Sequence, residues 1–148
     1  MKSRKAIILG VVLIILTAIA AVIHLSTREE VPENAVQISA NDKTYTIDIK
    51  KLNYEQVEGI RVNGKGEEIP VEGAGIALKD ILAQEKITEY SKVTVVADDS
   101  YSAELTAEEI KEDEKVYLLN EEESLRLIVF GDENSKRSVS NVVQIIVE

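Results

Sequence analysis

The rhythm of apolar and polar positions divides the chain into three stretches. Residues 6–25 run without a charge, broken only by Gly10, Thr17 and His24. As a helix rising about 1.5 Å per residue, this stretch is about 30 Å long, the thickness of a bilayer's hydrocarbon core. Thirteen of its twenty residues are Ile, Leu or Val. At about −0.3 to −0.6 kcal/mol each, they favour insertion by roughly 4 to 8 kcal/mol. The pattern therefore predicts a transmembrane helix over residues 6–25. Residues 26–35, polar and containing Pro32, read as a short stalk. The remaining 113 residues, 36–148, are long enough for one core.

Within that domain the pattern is mostly that of strands. Residues 36–40 and 44–49 flank Asn41-Asp42-Lys43 and predict a hairpin. Residues 51–57 read as one helical turn, and 60–62 and 69–71 as short strands around a loop at 63–66. Residues 76–83 read as a helix with Leu78, Ile81 and Leu82 on one face. The β-branched run at 93–97 predicts a strand buried on both faces, with 101–105 as its neighbour. Thr106-Ala107-Glu108-Glu109 is a capping box that starts a short acidic helix to about Asp113. Residues 116–119, 125–130 and 142–147 supply further strands. The expected fold class is α+β, a sheet-dominated mixed domain with two or three short helices, preceded by one N-terminal transmembrane helix.

Charge turns this pattern into a topology. Residues 1–28 carry four basic side chains and no acidic one, leaving 13 Lys/Arg against 27 Asp/Glu over residues 29–148, a charge of −14. Lys2, Arg4 and Lys5 precede the apolar run, so the positive-inside bias puts the basic end, residues 1–5, in the cytoplasm and the domain outside. The competing reading is a secretory signal: Ala18-Ile19-Ala20 has the small-x-small shape that signal peptidase accepts, and cleavage after Ala20 would release the domain. The apolar run continues past that site, which favours an uncleaved anchor. His24 is expected at the outer interface. Gly10 alone makes no helix-pairing motif.

Composition removes most catalytic chemistries. There is no cysteine or tryptophan, and the one histidine lies in the apolar run. Thiolate catalysis and Cys-ligated metal are excluded, a nucleophile has no histidine base in the domain, and the acidic surface repels nucleic acid. Gly73-Ala74-Gly75 and Gly64-Lys65-Gly66 both lack the third glycine of G-x-G-x-x-G and read as plain turns. The carboxylates at 108–114 and 121–123 show no EF-hand spacing and read as solvated faces. Arg126 is the one charge in the strand at 125–130. If it faces inward it needs a partner, with Asp98 or Asp99 expected. Asp98, Asp99, Tyr101 and Arg126 are the expected ligand or partner surface, against the competing readings of a turn and a structural salt bridge. No catalytic, cofactor or metal residue is expected.

Five blocks, read in order, resemble the oxidoreductase molybdopterin-binding domain of the sulfite oxidase family. Gly75-Ile76-Ala77-Leu78-Lys79-Asp80-Ile81-Leu82 is similar to the family's G-v-p-L-x-d-l-L, and Val93-Thr94-Val95-Val96-Ala97-Asp98-Asp99-Ser100-Tyr101-Ser102 to its v-x-x-x-a-D-G-Y-s. The stretch from Leu105-Thr106 to Ile110 follows like l-t-l-e-e-l, Ser124-Leu125-Arg126-Leu127-Ile128-Val129-Phe130-Gly131 like p-L-R-l-v-v-P-g, and residues 141–147 like the closing strand. The resemblance covers residues 70–148 and, more weakly, 36–69. It departs from the family where function resides. The molybdenum-ligating cysteine that precedes the first block has no counterpart in residues 57–74. Of the pterin-phosphate ligands only Arg126 has a counterpart, and Ser100 and Phe130 replace a glycine and a proline. The resemblance implies a degenerate scaffold without its cofactor. The expectation is a non-catalytic, membrane-anchored module outside the cytoplasmic membrane that binds a protein partner or small ligand. The alternative is an accessory subunit of a cofactor-dependent oxidoreductase whose redox centre a partner supplies.

Overall fold

The computed structural model describes residues 2–26 and 33–148, with side chains in the first stretch over residues 4–20. The chain divides into two compact units, Met1–Glu30 and Val31–Glu148.

In the first unit, α1 (Lys2–Ser26) is one helix of 25 residues. Ten of its large apolar side chains, from Ile7 to Ile19, are exposed on every side. Among the described residues no helix is long and apolar enough to cross a membrane. The span expected over residues 6–25 runs past the described side chains, as does His24, and residues 27–32 of the expected stalk lie outside the described residues.

In the second unit, the hairpin around Asn41 forms from its turn chemistry. β1 (Ala35–Ala40) pairs antiparallel with β2 (Lys43–Asp48), from Ala35 opposite Asp48 to Ala40 opposite Lys43. Asn41 and Asp42 between them adopt φ of 50° and 61°. A two-residue hairpin turn needs left-handed backbone at both central positions, and Asn and Asp tolerate it.

This hairpin opens the first sheet, whose order is β2-β1-β9-β5-β6, with β5 at Lys92–Ala97, β6 at Ser102–Thr106 and β9 at Val142–Val147. β9 runs parallel to β1 and antiparallel to β5. The sheet buries one face. Val36, Ile38 and Ala40 of β1 alternate inward with Val93, Val95 and Ala97 of β5, and Ile145 of β9 stands opposite both Ile38 and Val95. The expectation that residues 93–97 are buried on both faces is therefore corrected: Lys92, Thr94 and Val96, on the other face, are only half-buried.

The second sheet has order β3-β4-β7-β8, from β3 (Glu55–Val62), β4 (Glu68–Ala77), β7 (Val116–Asn120) and β8 (Leu125–Val129). Its β7–β8 half is buried on both faces. Leu118, Leu125 and Leu127 join the main core with α2 (Leu78–Gln84), Ile110 of α3 (Ala107–Lys111) and the inner face of the first sheet. Tyr117, Leu119 and Ile128 point the other way into a small second cluster with Val57, Val71 and Phe130. The sheet supplies that cover by curling. β4 pairs with β3 along eight residue pairs but with β7 only at Gly75, Ile76 and Ala77.

Two glycines permit the curl. A Cβ on Gly75 would sit 2.8 Å from Leu119 Cδ2, and one on Gly59 would sit 2.5 Å from the Phe130 ring. Gly73 and Gly75 thus lie in extended strand and make no turn, which corrects that expectation, whereas Gly66 turns with φ of 82°.

Two boundaries also move. The helix expected at 76–83 starts at Leu78, because Ile76 and Ala77 complete β4. The helical turn expected at 51–57 is a 3-10 turn at Ile49–Lys51, capped by the Asp48 carboxylate accepting from Lys50 N–H at 2.9 Å. The capping box is present in full, with Thr106 and Glu109 exchanging side-chain and backbone hydrogen bonds.

Candidate functional site

A cleft of about 710 Å³ opens where β1, β5 and β9 meet the loops at their ends. Its walls carry Glu33, Asp98 and Glu123 as carboxylates and Asn34, Gln37 and Gln144 among its amides. Among the described residues it has one hydroxyl, Ser124, and no histidine, lysine or arginine. Such a wall accepts hydrogen bonds and favours polar or cationic ligands. Asn34 and Asn141 on its rim adopt φ of 69° and 50°, and Asn141 C=O accepts from Asp98 N–H at 3.0 Å, tying the loop after β5 to the start of β9.

The four residues expected to form a ligand or partner surface do not converge. Asp98 is exposed in the cleft. Asp99 and Ser100 form the β5–β6 turn, with the Asp99 carboxylate accepting from Tyr101 N–H at 3.0 Å and Ser100 at φ 71°. Tyr101 is 48% exposed, and its hydroxyl donates to Lys136 C=O at 2.5 Å. Arg126 belongs to the other sheet, and its partner is neither Asp98 nor Asp99: its Nε donates to Glu121 Oε1 at 2.6 Å across the β7–β8 turn. Arg126 stands opposite Leu119 on β7, on the face turned away from the main core. A salt bridge on the partly open face avoids the cost of burying the charge. It lines a separate cleft of about 300 Å³ with Arg61 and Asn120, whose Oδ1 is buried without a hydrogen-bond partner among the described residues.

The most elaborate polar cluster is one that sequence reading did not pick out. Arg137 Nη1 donates to both Glu109 carboxylate oxygens at 2.8 and 2.9 Å, while its Nε and Nη2 donate to Asp132 at 2.9 and 2.5 Å. The three side chains are between 18% and 27% exposed. Burial pushes the Glu109 carboxyl up, but the Thr106 backbone N–H and the Arg137 guanidinium outweigh it and hold it below its ordinary value. The Asp132 hydrogen bonds, with those of Glu109, raise Arg137 against the effect of burial.

The cluster joins the start of α3 to the long β8–β9 connection. Leu127 N–H donates to Val139 C=O at 2.8 Å in that connection, and the Tyr101 hydroxyl holds it at Lys136. Every polar group of the cluster is engaged with another, so its role is to pin the loop. Its only signal in the sequence is the polar run at 132–137, because Glu109 and Arg137 are 28 residues apart.

Neither a metal nor a molybdenum cofactor is matched by these residues. Among the described residues no group of three or more His, Cys, Asp or Glu is placed to hold a metal ion. The chain has no cysteine to supply a thiolate ligand, and the Arg126 guanidinium is engaged by Glu121. Comparison of the chain with protein-family models and with curated proteins finds no match.

Proposed function

We propose that the chain is a single-pass, membrane-anchored module. Its acidic domain lies on the extracytoplasmic side and binds a protein partner or small ligand without catalysis, on a scaffold like the molybdopterin domain of the sulfite oxidase family. The observation that carries the reading is the character of α1. Its apolar side chains are exposed all round it, and a helix apolar on every face with its backbone satisfied internally suits lipid and is costly in water. The basic residues before the apolar run and the charge of −14 beyond residue 28 supply the orientation. The cleft at Asp98 and the edge of the curled sheet are the surfaces a partner would use.

Crosslinking in intact membranes, followed by identification of what is bound, tests the reading. A partner of defined stoichiometry captured through the domain supports it. Stoichiometric molybdenum or pterin in the purified chain would overturn the non-catalytic assignment, and a co-purifying redox protein would make the chain an accessory subunit.

A further inference from the structure

β3 is one edge of the second sheet; the other, β8, is bridged at Leu127 to Val139 of the β8–β9 connection. β3 pairs with β4 on one side, and no strand pairs with its other side among the described residues. Backbone N–H and C=O groups along such an edge are open to a further strand. A groove of about 550 Å³ lies along it, lined by Glu58, Gly59, Ile60, Phe130, Asp132 and Glu133 among others.

The groove combines apolar surface with a charge of one sign. Ile60 is 58% exposed, one of three large apolar side chains the domain leaves open among the described residues, the others being Tyr101 and Val143. Glu58 and Ile60 lie on one face of β3, and Glu68, paired with Val62, continues that face. Gly59 faces the opposite way, onto the Phe130 ring. Glu58, Glu68, Glu114 and Glu133 line the groove without an ion pair among the described residues, Asp132 is held by Arg137, and no lysine or arginine is present.

The other edges differ. β2 borders a cleft that carries both Asp42 and Lys43, and Glu104 of β6 is paired with Lys92. A second copy of the chain would bring an equally acidic strand against this one, and like charges across a strand pair repel.

We propose that β3 receives an extended basic segment of a partner protein as an added strand. Because strand side chains alternate between faces, the segment's Lys or Arg side chains lie on the face of Glu58, Ile60 and Glu68, with their aliphatic stems over Ile60, and its apolar side chains lie on the opposite face, where Phe130 packs. The inference rests on the reading of the domain as a partner-binding module and specifies the surface and chemistry of that binding.

The test uses the full chain in non-ionic detergent and a peptide matching the eight residues of β3 in length, alternating Lys and Val, with a Glu-Val peptide as control. Amide hydrogen exchange followed by NMR should show the Lys-Val peptide protecting β3 and leaving β2 and β6 unchanged. The exposed substitutions Glu58→Lys and Ile60→Lys should each weaken binding about tenfold, equivalent to about 1.4 kcal/mol, with protection of β7 and β8 intact as evidence of folding. Protection at β2 or β6, equal binding of the Glu-Val peptide, indifference to both substitutions, or no binding would each overturn the assignment. A stoichiometric partner crosslinked away from β3 would overturn it too, while leaving the binding-module reading standing.

Discussion

α1 and the domain handle apolar surface in opposite ways. In α1 every large apolar side chain described is exposed, from Val12 at 47% to Leu9 at 70%. In the domain Leu78, Leu82, Leu118 and Leu127 are fully buried, and the exposed positions are largely charged. Similar residue types therefore have opposite environments, and the difference lies in periodicity. The domain's apolar residues recur every second position along strands and fit one face of a sheet, as in β1 and β5. Those of α1 follow no such period and leave no polar face to turn toward water.

The largest expected effect breaks the comparison on the domain's side. Leu118→Ala removes a fully buried side chain and should cost about 2 to 5 kcal/mol. Thermal unfolding should show a large fall in Tm, while Leu9→Ala in α1 should leave the domain's Tm unchanged. Ile14→Arg sharpens the other side. A charge at the centre of a spanning helix costs about 2.5 to 3.5 kcal/mol of insertion, so the chain should shift toward the carbonate-extractable fraction.

Arg137→Ala strands two carboxylates that are each less than a quarter exposed, and should cost about 1 to 3 kcal/mol by denaturant unfolding. It should also weaken a pH dependence, since the Thr106 backbone N–H remains to hold the Glu109 carboxyl down. Glu109 titrates below its ordinary value in the folded state, so its contribution is fully present above the unfolded carboxylate pKa and is lost as pH falls through the lower folded value. The acid limb of the stability curve should flatten in the variant. Thr106→Ala, which removes the α3 cap, should cost about 1 kcal/mol by the same measurement.

What the sequence revealed depended on how local the cause was. The Asn41-Asp42 turn and the Thr106–Glu109 capping box were legible because turn and cap chemistry act within four residues. The sequence pattern makes β3 and β4 too short, since Glu55, Gln56 and Glu58 hide a strand exposed on one side, and Gly73 and Gly75 suggest a turn although both lie in β4, where the approach of Leu119 requires glycine at position 75. Which strand is buried on both faces follows from that curl and from no single segment, so the role expected of β5 belongs to β7. The site was the least legible part. Arg126 was recognised as a charge needing a partner, but the register of the β7–β8 hairpin put Glu121 within reach. The Arg137 cluster was missed because packing brings its members together from distant segments.

The proposal that α1 anchors the domain in a membrane, with the domain outside, is open to one direct measurement. The absence of native cysteine allows a direct measurement with single-cysteine variants, Ser3→Cys and Asp99→Cys, and a membrane-impermeant thiol reagent on intact cells. The account predicts that the cysteine at position 99 is labelled at once, that the one at position 3 is labelled only after permeabilisation, and that both stay with the membrane through alkaline washing. The reverse labelling pattern, or release of the labelled domain from the membrane, would contradict it.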